Sequence, residues 1–300
     1  MRACTIIIVN YNTFSITEAC LHSIKEYYPL DRYRIIIVDN NSSDGSHQKL
    51  KFHFPEFEII KLDKNKGYGS ALNAGLDSCR TEFVLFLNSD IRFIDASLDD
   101  AIDYLKGNPH IAACGALNLN PDGSHGLSYG DFPFLWTMLC DNTPLKKLLF
   151  FLPLPYTSMA KVPGQAESEE IVDFPIGSFL LARTKDAQSI QGFDENFFLY
   201  FEETDFSYRM RRFGNIVYHP SIRIIHVGGA STRERAVITS RHFFKSWGHF
   251  LRKHKGNVYA RTAKYVLLLS FHLHYVLSFF TMRGQQEPLR ERIRNLRSSW

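Results

Sequence analysis

Blocks of hydrophobic residues alternate with polar clusters along the first 90 residues. The hydrophobic blocks are short and rich in Ile, Val, Leu and Phe; they lie at residues 5–9, 34–38, 58–62 and 83–87. Runs of this length and composition are typical of strands buried on both faces. Apolar residues at helical spacing fill two of the gaps, at 16–26 and 72–79. The pattern predicts an α/β fold, in which a doubly wound, mostly parallel sheet carries helices on both faces.

A polar cluster follows each predicted strand; the clusters lie at residues 10–12, 39–44, 64–69 and 88–90. In open parallel sheets, ligands bind in the crevice outside the carboxyl ends of the strands. We therefore expect the four clusters to converge on one crevice.

The regular pattern breaks between residues 131 and 170, which hold five prolines and an acidic end. We interpret this stretch as an insertion or lid. The pattern resumes at 172–184. The sequence therefore predicts a main domain at 1–240 and a basic, partly amphipathic helical extension at 241–300.

Composition narrows the class of protein. With 45% hydrophobic and 22% charged residues, the 300-residue chain is expected to be globular, which excludes disordered and collagen-like proteins. The five cysteines are scattered, with no CxxC pair, and this argues against a disulfide framework or a structural zinc site. The first residues show no signal-peptide pattern. We therefore expect a cytoplasmic protein.

Charge is distributed unevenly along the chain. Residues 241–300 contain twelve Lys or Arg and two Glu, a net charge of +10. The whole chain carries +4, so residues 1–240 carry −6. A basic tail indicates an anionic partner, either a membrane surface or a nucleic acid.

Two carboxylates stand at predicted strand ends. Asp39 can accept a hydrogen bond from the imide N–H of uracil, thymine or guanine; the alternative is that it caps the next helix. Asp90, in Asn88-Ser89-Asp90, is placed to hold Mg²⁺ or Mn²⁺ against a diphosphate; the alternative is an Asx turn that leaves the strand.

A glycine-containing turn at 65–69 leads into a predicted helix, and its backbone N–H groups could meet phosphate. The turn is not a P-loop, because GxxxxGK[ST] is absent. No GxGxxG follows the first strand either, which disfavours a dinucleotide oxidoreductase.

A dense cluster of acidic side chains lies just before a helix expected at 206–213. Glu202, Glu203 and Asp205 follow an aromatic run that would raise the pKa of a carboxyl and suit a general base. The alternative is that these acids only cap the helix. His226 is either a metal or phosphate ligand or an ordinary histidine at a strand end.

Six segments together resemble the inverting family-2 glycosyltransferases of the GT-A fold, a Rossmann-like fold, and within them the bacterial rhamnosyltransferase-like branch. The segments are IIIVNYN at 6–12, IIIVDNNSSDGS at 35–46, NKGYGSALNAG at 65–75, FLNSD at 86–90, GFDENFFLYFEETDFSYR at 192–209 and HVGGAST at 226–232. They follow the family's order and span about residues 3–255.

The resemblance implies a site for a nucleoside-diphosphate sugar. Asp39 would bind the base, with Asn10 and Asn12 lining its pocket. The other candidates for donor contact are Asn65, Gly67, Asn73 and Asn88.

The resemblance also implies catalytic and metal-binding roles. Asp90 matches the last Asp of the family's DxD motif and would hold Mg²⁺ or Mn²⁺, with the assistance of His226. Glu203 matches the catalytic base of the family's E-D-x-D motif. Glu202 is its rival, and Asp205 is the candidate for acceptor contact.

Two residues depart from the family pattern. Asn88 stands where DxD has its first Asp, and Glu203 stands where the base is usually Asp. These departures keep open the alternative of a degenerate, non-catalytic binding or scaffolding subunit. A sugar-1-phosphate nucleotidyltransferase is disfavoured, because its Arg-containing glycine-rich loop is absent.

The tail holds eighteen residues, 265–282, without a charged side chain. As a helix they would reach about 27 Å, short of the ~30 Å hydrocarbon core of a bilayer. Ser270, His274, Ser278 and Thr281 recur at helical spacing as a polar stripe. We expect a helix lying in the membrane interface or packed on the body, the latter as a helical pair or a homodimer contact.

The sequence thus predicts an inverting, metal-dependent hexosyltransferase of cell-surface polysaccharide synthesis. It would move rhamnose or another hexose from a dTDP- or UDP-linked donor to a glycan or polyprenyl-diphosphate-linked acceptor. The expected location is the cytoplasm, peripheral at the inner face of the cell membrane. A nucleic-acid partner is not expected, because the basic residues flank an apolar helix.

Overall fold

A computed structural model describes residues 2–142, 157–164, 168–228, 236–281 and 286–299. The chain forms two compact units. The first unit comprises Met1–Gly130, Ala160–Phe198 and Glu202–Arg233, and the second comprises Asp131–Met159, Leu199–Phe201 and Glu234–Trp300.

The strands of the described ranges are β1 (Cys4–Asn10), β2 (Tyr33–Asp39), β3 (Glu58–Lys61), β4 (Phe83–Leu87), β5 (Ile91–Phe93), β6 (Ile111–Leu119), β7 (Tyr129–Gly130), β8 (Glu170–Val172), β9 (Phe174–Pro175), β10 (Phe179–Arg183) and β11 (Asn215–His226). The helices are α1 (Phe14–Tyr27), α2 (Ser46–His53), α3 (Tyr68–Asp77), α4 (Ser97–Gly107), α5 (Leu135–Asn142), α6 (Thr184–Ser189), α7 (Glu202–Met210), α8 (Ala236–Thr281) and α9 (Gln286–Ser298).

The main sheet of the first unit runs in the order β3-β2-β1-β4-β10-β6-β11-β5, and β8 pairs with β11. The strands from β3 to β4 are parallel, as are β6 and β11, while β10 lies antiparallel between β4 and β6. A second, two-stranded sheet joins β7 and β9.

Helices cover both faces of this sheet, because its central strands are apolar on both sides. All seven residues of β1 are buried. Ile6 and Ile8 belong to one apolar core with α1, α2 and α4, whereas Ile7 and Val9 belong to another with α3 and α7. This division follows from the two-residue repeat of a strand.

The register of the parallel strands brings their polar ends together. Asn10, the last residue of β1, is paired with Asp39, the last residue of β2. On the other side of β1, Ile8 is paired with Leu87, so Asn88 follows at the same edge. The predicted convergence of these clusters at one edge of the sheet is therefore present.

Two helices begin earlier than predicted. Helix α3 begins at Tyr68 and not at residue 72, because Gly67 at φ 107° reverses the chain directly before it. Helix α7 begins at Glu202 and not at residue 206, so all three carboxylates lie in its first turn. Acidic residues are favourable there, because they meet the unpaired N–H groups of the helix start.

The predicted boundary at residue 240 and the predicted insertion at 131–170 stay predictions. Within the insertion, residues 143–156 and 165–167 lie outside the described residues, as do residues 229–232 of the last motif.

The second unit is mostly helical in its described part. Gly256 interrupts α8 with φ 82° and ψ 168°, so the helix is kinked there. Trp247 is buried, and its Nε1 donates to Pro133 O at 2.7 Å. Among the described residues, no helix is long and apolar enough to cross a membrane.

Gly75 allows the close approach of α3 to the central strand. A Cβ at this position would lie 2.6 Å from Ile7 Cγ2. We expect Gly75→Ala to lower the free energy of unfolding by about 1–3 kcal/mol, since overpacking outweighs the gain in helix propensity. Urea unfolding measures this change.

Gly107→Ala is the matched control. A Cβ there would have no neighbour within 4 Å. That variant should be as stable as the wild type or slightly more stable. A Gly75→Ala protein that is as stable as the control would contradict the close packing of α3 on β1.

Candidate active site

Asp39 and Asn10 form a buried polar pair at the edge of the sheet. Asn10 Nδ2 donates to Asp39 Oδ2 at 2.9 Å, and Ser42 N donates to Asp39 Oδ1 at 3.0 Å. Each carboxylate oxygen can accept a further hydrogen bond. The arrangement fixes the carboxylate and leaves it acceptor capacity for an N–H donor of a base.

Asn12 connects the loops that follow β1 and β2. Its backbone has φ 55°, and its Oδ1 accepts from Ser43 N at 2.7 Å. The Asn12 N–H in turn donates to Ser42 Oγ at 3.0 Å. The side chain therefore shapes the wall beside Asp39, and it remains exposed.

Asn65 and Gly67 bond to one another and to Asn40, and their contact with the donor stays a prediction. The Gly67 N–H donates to Asn65 Oδ1 at 2.9 Å, and that oxygen also accepts from Asn40 Nδ2 at 3.1 Å. A Cβ on Gly67 would lie 2.5 Å from Phe198 O. The absence of a side chain at Gly67 therefore allows the segment that leads into α7 to pass close to it.

Asn40 is a candidate that the sequence analysis did not single out. It is buried next to Asp39, and its Oδ1 has no hydrogen-bond partner in the described part of the chain. A buried unpaired acceptor is costly unless a ligand or water completes it. Its place in the motif directly after Asp39 was the available signal.

Asp90 and His226, the two candidate metal ligands, lie side by side. His226 ends β11 and its Nε2 is 3.3 Å from Asp90 Oδ1. The backbone supports the pair, because Val227 N donates to Asp90 O at 3.0 Å. The described residues contain no group of three or more His, Cys, Asp or Glu able to hold a metal ion. Side chains of the described residues would therefore supply only part of a metal ion's coordination sphere.

Tyr68 lies at the centre of the site, although the sequence analysis gave it no role. Its hydroxyl donates to Asn88 Oδ1 at 2.7 Å. Burial raises the pKa of the Tyr68 hydroxyl well above its usual value, and the charges of Glu202, Asp90 and Glu203 raise it further. Asp90, which follows β4, and the two glutamates of α7 therefore all affect the pKa of one phenol.

The two glutamates of α7 differ in their surroundings. Glu202 is buried, and its Oε2 has no hydrogen-bond partner among the described residues. Burial, reinforced by the charge of Glu203, raises the pKa of Glu202 well above its usual value. Glu203 is half-buried, and burial raises its pKa to about 6, against the effect of hydrogen bonds from the backbone. Glu203 is thus the carboxylate of the pair that ionises first.

Two non-glycine residues with positive φ precede α7. Tyr200 has φ 68° and Phe201 has φ 70°. Such values are uncommon for bulky residues and cluster at functional sites. The sequence offers no signal for this conformation.

Asp205 is occupied by a contact within the protein, and its predicted contact with an acceptor stays a prediction. It is fully buried, and its Oδ2 accepts from Arg209 Nε at 2.7 Å. The same guanidinium donates to Ile190 O and Gly192 O at 2.7 and 2.6 Å. The ion pair therefore fastens α7 to the preceding loop.

Asn73 fastens the same loop to α3 and has no free amide for a nucleotide. Its Nδ2 donates to Phe193 O at 2.8 Å, and its Oδ1 accepts from Phe193 N at 2.8 Å. Gly192, with φ 61°, is required here, because a Cβ would lie 2.3 Å from Asn73 Oδ1.

The chain belongs to Glycosyl transferase family 2, which matches residues 5–158. It is 26% identical over 235 residues to N-acetylglucosaminyl-diphospho-decaprenol L-rhamnosyltransferase of Mycobacterium tuberculosis, across 74% of this chain and 76% of that protein. It is 27% identical over 233 residues to rhamnosyltransferase WbbL of Escherichia coli, across 74% of this chain and 83% of that protein. The predicted family and its rhamnosyltransferase-like branch are confirmed.

Solved structures show the same fold. Mannosyltransferase PcManGT from Pyrobaculum calidifontis, solved with GDP-Man and Mn²⁺, superimposes with a TM-score of 0.59 at 13% identity, over 100% of this chain and 86% of that chain. Residues 1–349 of S. aureus TarS give 0.54 at 14% identity, over 99% and 80%. The predicted GT-A fold is confirmed.

The buried Glu202 makes stability depend on pH. Its pKa is raised in the folded state, so the unfolded chain releases this proton at lower pH than the folded protein does. The free energy of unfolding therefore has a contribution that is present below pH ~4.5 and is lost as the pH rises. We expect Glu202→Gln to remove this part of the decrease in the free energy of unfolding between pH 5 and pH 8. Urea unfolding at both pH values measures the change.

The exposed Glu82 supplies the control for this experiment. Glu82→Gln should keep the wild-type decrease of the urea midpoint between pH 5 and pH 8. An equal decrease in Glu202→Gln would show that Glu202 is not the buried acid inferred from its environment.

Proposed function

We propose that this family-2 glycosyltransferase moves a sugar, rhamnose or another hexose, from a nucleoside-diphosphate donor to a hydroxyl of a glycan or lipid-linked glycan, with inversion at the anomeric carbon. One observation carries the proposal. Tyr68 OH donates to Asn88 Oδ1 at 2.7 Å, and the next residue, Gly69, packs against Glu202, where a Cβ would lie 3.5 Å from Glu202 Cβ; these contacts support one site for the diphosphate side and the candidate base.

Glu203 is the general base of this proposal. It accepts the proton of the acceptor hydroxyl while that oxygen forms a bond to the anomeric carbon. The bond from the anomeric carbon to the diphosphate oxygen breaks, and its electron pair leaves with the nucleoside diphosphate. Attack opposite the leaving group inverts the configuration, and no second carboxylate nucleophile is needed.

The environment of Glu203 suits a base. Its pKa of about 6 makes it a stronger proton acceptor than an exposed glutamate, yet it is ionised at neutral pH. Gly177 leaves room for the Glu203 side chain, because a Cβ at position 177 would lie 3.3 Å from Glu203 Cγ. Glu202, with the higher pKa, keeps its proton longer and avoids a second adjacent charge.

Asp90 and His226 are the proposed protein ligands of Mg²⁺ or Mn²⁺. Two donors suit Mg²⁺-type sites, in which substrate phosphates and waters complete the coordination. When bound, the ion would neutralise the charge that develops on the departing diphosphate. Asn88 adds an amide oxygen nearby, and the hydrogen bond from Tyr68 holds that oxygen in place.

Asp39 is the proposed receptor of the nucleotide base. Its buried carboxylate, oriented by Asn10 and Ser42, suits the imide N–H of uracil, thymine or guanine. Of the three bases, we propose uracil or thymine, in a UDP- or dTDP-linked donor, and the titration with GDP described below tests this choice. Asn40, with its unpaired oxygen, would accept a further hydrogen bond from the same nucleoside.

A lipid-linked acceptor is supported by the relatives alone. The mycobacterial relative is named for an acceptor on a decaprenol diphosphate. We propose that this chain likewise extends a polyprenyl-diphosphate-linked glycan of a cell-surface polysaccharide. Such an acceptor would place the enzyme peripherally at the inner face of the cell membrane.

Replacing the base tests the mechanism. We expect Glu203→Gln to lower kcat about 10²–10⁴-fold with nearly unchanged nucleotide affinity, because only the proton acceptor is lost. In the wild type, kcat/KM should rise about tenfold per pH unit up to pH ~6 and then level off, since only the ionised Glu203 accepts the proton. Steady-state transfer rates and a pH profile measure both effects.

Two further variants, Glu203→Asp and Glu202→Gln, serve as controls for Glu203→Gln. The aspartate keeps the base and should retain part of the activity, whereas Glu202→Gln should retain most of it. Unchanged turnover in Glu203→Gln would eliminate Glu203 as the base, and a larger loss in Glu202→Gln would transfer the role to Glu202.

Calorimetric titration with UDP, dTDP and GDP, each with and without Mn²⁺, tests the donor site. We expect UDP or dTDP to bind more tightly with Mn²⁺, because two protein ligands hold the ion only when a diphosphate completes its coordination. Asp90→Asn should abolish the gain from Mn²⁺. Asp103→Asn, an exposed carboxylate of α4, should leave it unchanged.

Other outcomes of the titration have distinct meanings. Tight nucleotide binding that does not change with Mn²⁺ would contradict the proposed metal role and still support a glycosyltransferase. Absence of any nucleotide binding would favour a degenerate, non-catalytic subunit.

A further inference from the structure

The second half of α8 presents a row of exposed apolar side chains. Its members are 54–81% exposed and are Val258, Tyr265, Leu269, Leu273 and Val276. Their spacing of seven, four, four and three residues places them on one side of a helix. We call this row the apolar stripe. Soluble proteins rarely expose a contiguous row of large apolar side chains without a partner for it.

The opposite side of the same helix is already packed. Its buried residues are Ala260, Ala263, Leu267, Leu268 and Phe271. Ser278, a member of the polar stripe expected from the sequence, also lies on this side, and its Oγ donates to Tyr275 O at 2.7 Å. The outward side of the helix is therefore the apolar one, and Ser278 of the polar stripe faces inward.

A row of arginines runs along the edge of the apolar stripe. Arg290, Arg294 and Arg297 are exposed on α9 and share one side of that helix, at positions i, i+4 and i+7. Arg290 Nε donates to Tyr275 OH at 2.7 Å, and Arg297 Nη2 donates to His272 Nε2 at 2.9 Å. These two contacts fix the arginine row beside the stripe.

The sequence around the apolar stripe is strongly basic. Residues 235–286 contain no Asp or Glu, and Arg261 is exposed within the same helix half. A second copy that packed stripe on stripe would bring two basic helices together, each with four arginines on α9 against only two glutamates, Glu287 and Glu291. An anionic lipid surface provides both an apolar interior for the stripe and phosphates for the arginines.

We propose that the apolar stripe of α8 and the arginine row of α9 form a docking surface for an anionic membrane. The stripe enters the boundary between headgroups and acyl chains, and the arginines meet lipid phosphate. The surface is inferred from its own residues; only its use, access to a lipid-linked acceptor, rests on the proposed function.

Vesicle co-sedimentation of the full chain tests the surface. We expect binding to vesicles of phosphatidylcholine with about 30% phosphatidylglycerol, and much weaker binding to pure phosphatidylcholine. Raising the salt concentration should weaken binding, because surface charges are screened. Leu269→Gln combined with Leu273→Gln changes no charge and should lower binding at least tenfold.

Matched variants separate the surface from general effects. Arg261→Gln combined with Arg294→Gln should lower binding roughly tenfold or more, since each basic residue near an anionic surface contributes about fivefold. Phe52→Gln combined with Val162→Gln removes exposed apolar residues of the first unit and should bind as the wild type does.

Three results would overturn the proposal: no binding to anionic vesicles at low salt, equal binding to neutral vesicles, or wild-type binding by the stripe variant. A dimer in sedimentation velocity that Leu269→Gln/Leu273→Gln abolishes, without vesicle binding, would assign the stripe to a second copy. Nucleotide titration is independent of these results. Nucleotide binding without vesicle binding would contradict only the membrane-docking proposal. Vesicle binding without nucleotide binding would contradict only the proposed function.

Discussion

The hydrogen bond between Asn10 Nδ2 and Asp39 Oδ2 joins two fully buried polar side chains at the ends of neighbouring strands. Without its partner, each group would carry the cost of an unpaired polar atom in the interior. A shift of one residue between β1 and β2 would break the bond and also turn Ile6 and Ile8 from one core to the other. The parallel register thus holds the buried polar pair at the sheet edge and both apolar cores at once.

A second constraint acts on the acids of α7. Burial favours their neutral forms, whereas the N–H groups of the first helical turn favour the anions. Glu203 lies between these effects with a pKa of about 6, and the more deeply buried Glu202 keeps its proton to higher pH. The ion pair between Asp205 and Arg209 and the clamp between Asn73 and Phe193 fix the loop before this helix. These contacts therefore help to hold Glu203 in position at the start of the helix.

The sequence predicted the central strands and the convergence of Asp39, Asn88 and Asp90, because buried strands have a distinctive composition and strand ends share an edge. It did not predict the roles of Asn73 and Asp205, whose side chains bind protein backbone or a neighbouring arginine. It also missed Tyr68, since a tyrosine in a glycine-containing turn gives no local signal. Its importance arises from contacts between β4, α3 and α7, which are distant in sequence.

The tail shows why polarity alone did not identify the outer side of α8. Serine in a helix can satisfy its hydroxyl on a carbonyl of its own turn, as Ser278 does with Tyr275 O, and so can be buried at little cost. Leucine has no such requirement and is exposed only at a loss of hydrophobic stabilisation. An exposed row of Leu and Val opposite buried alanine and serine is therefore unfavourable in water alone. The acyl region of an anionic membrane would remove the cost of exposing these apolar side chains to water, and its phosphates would pair with the arginines. A second copy of this basic helix pair would instead add charge repulsion.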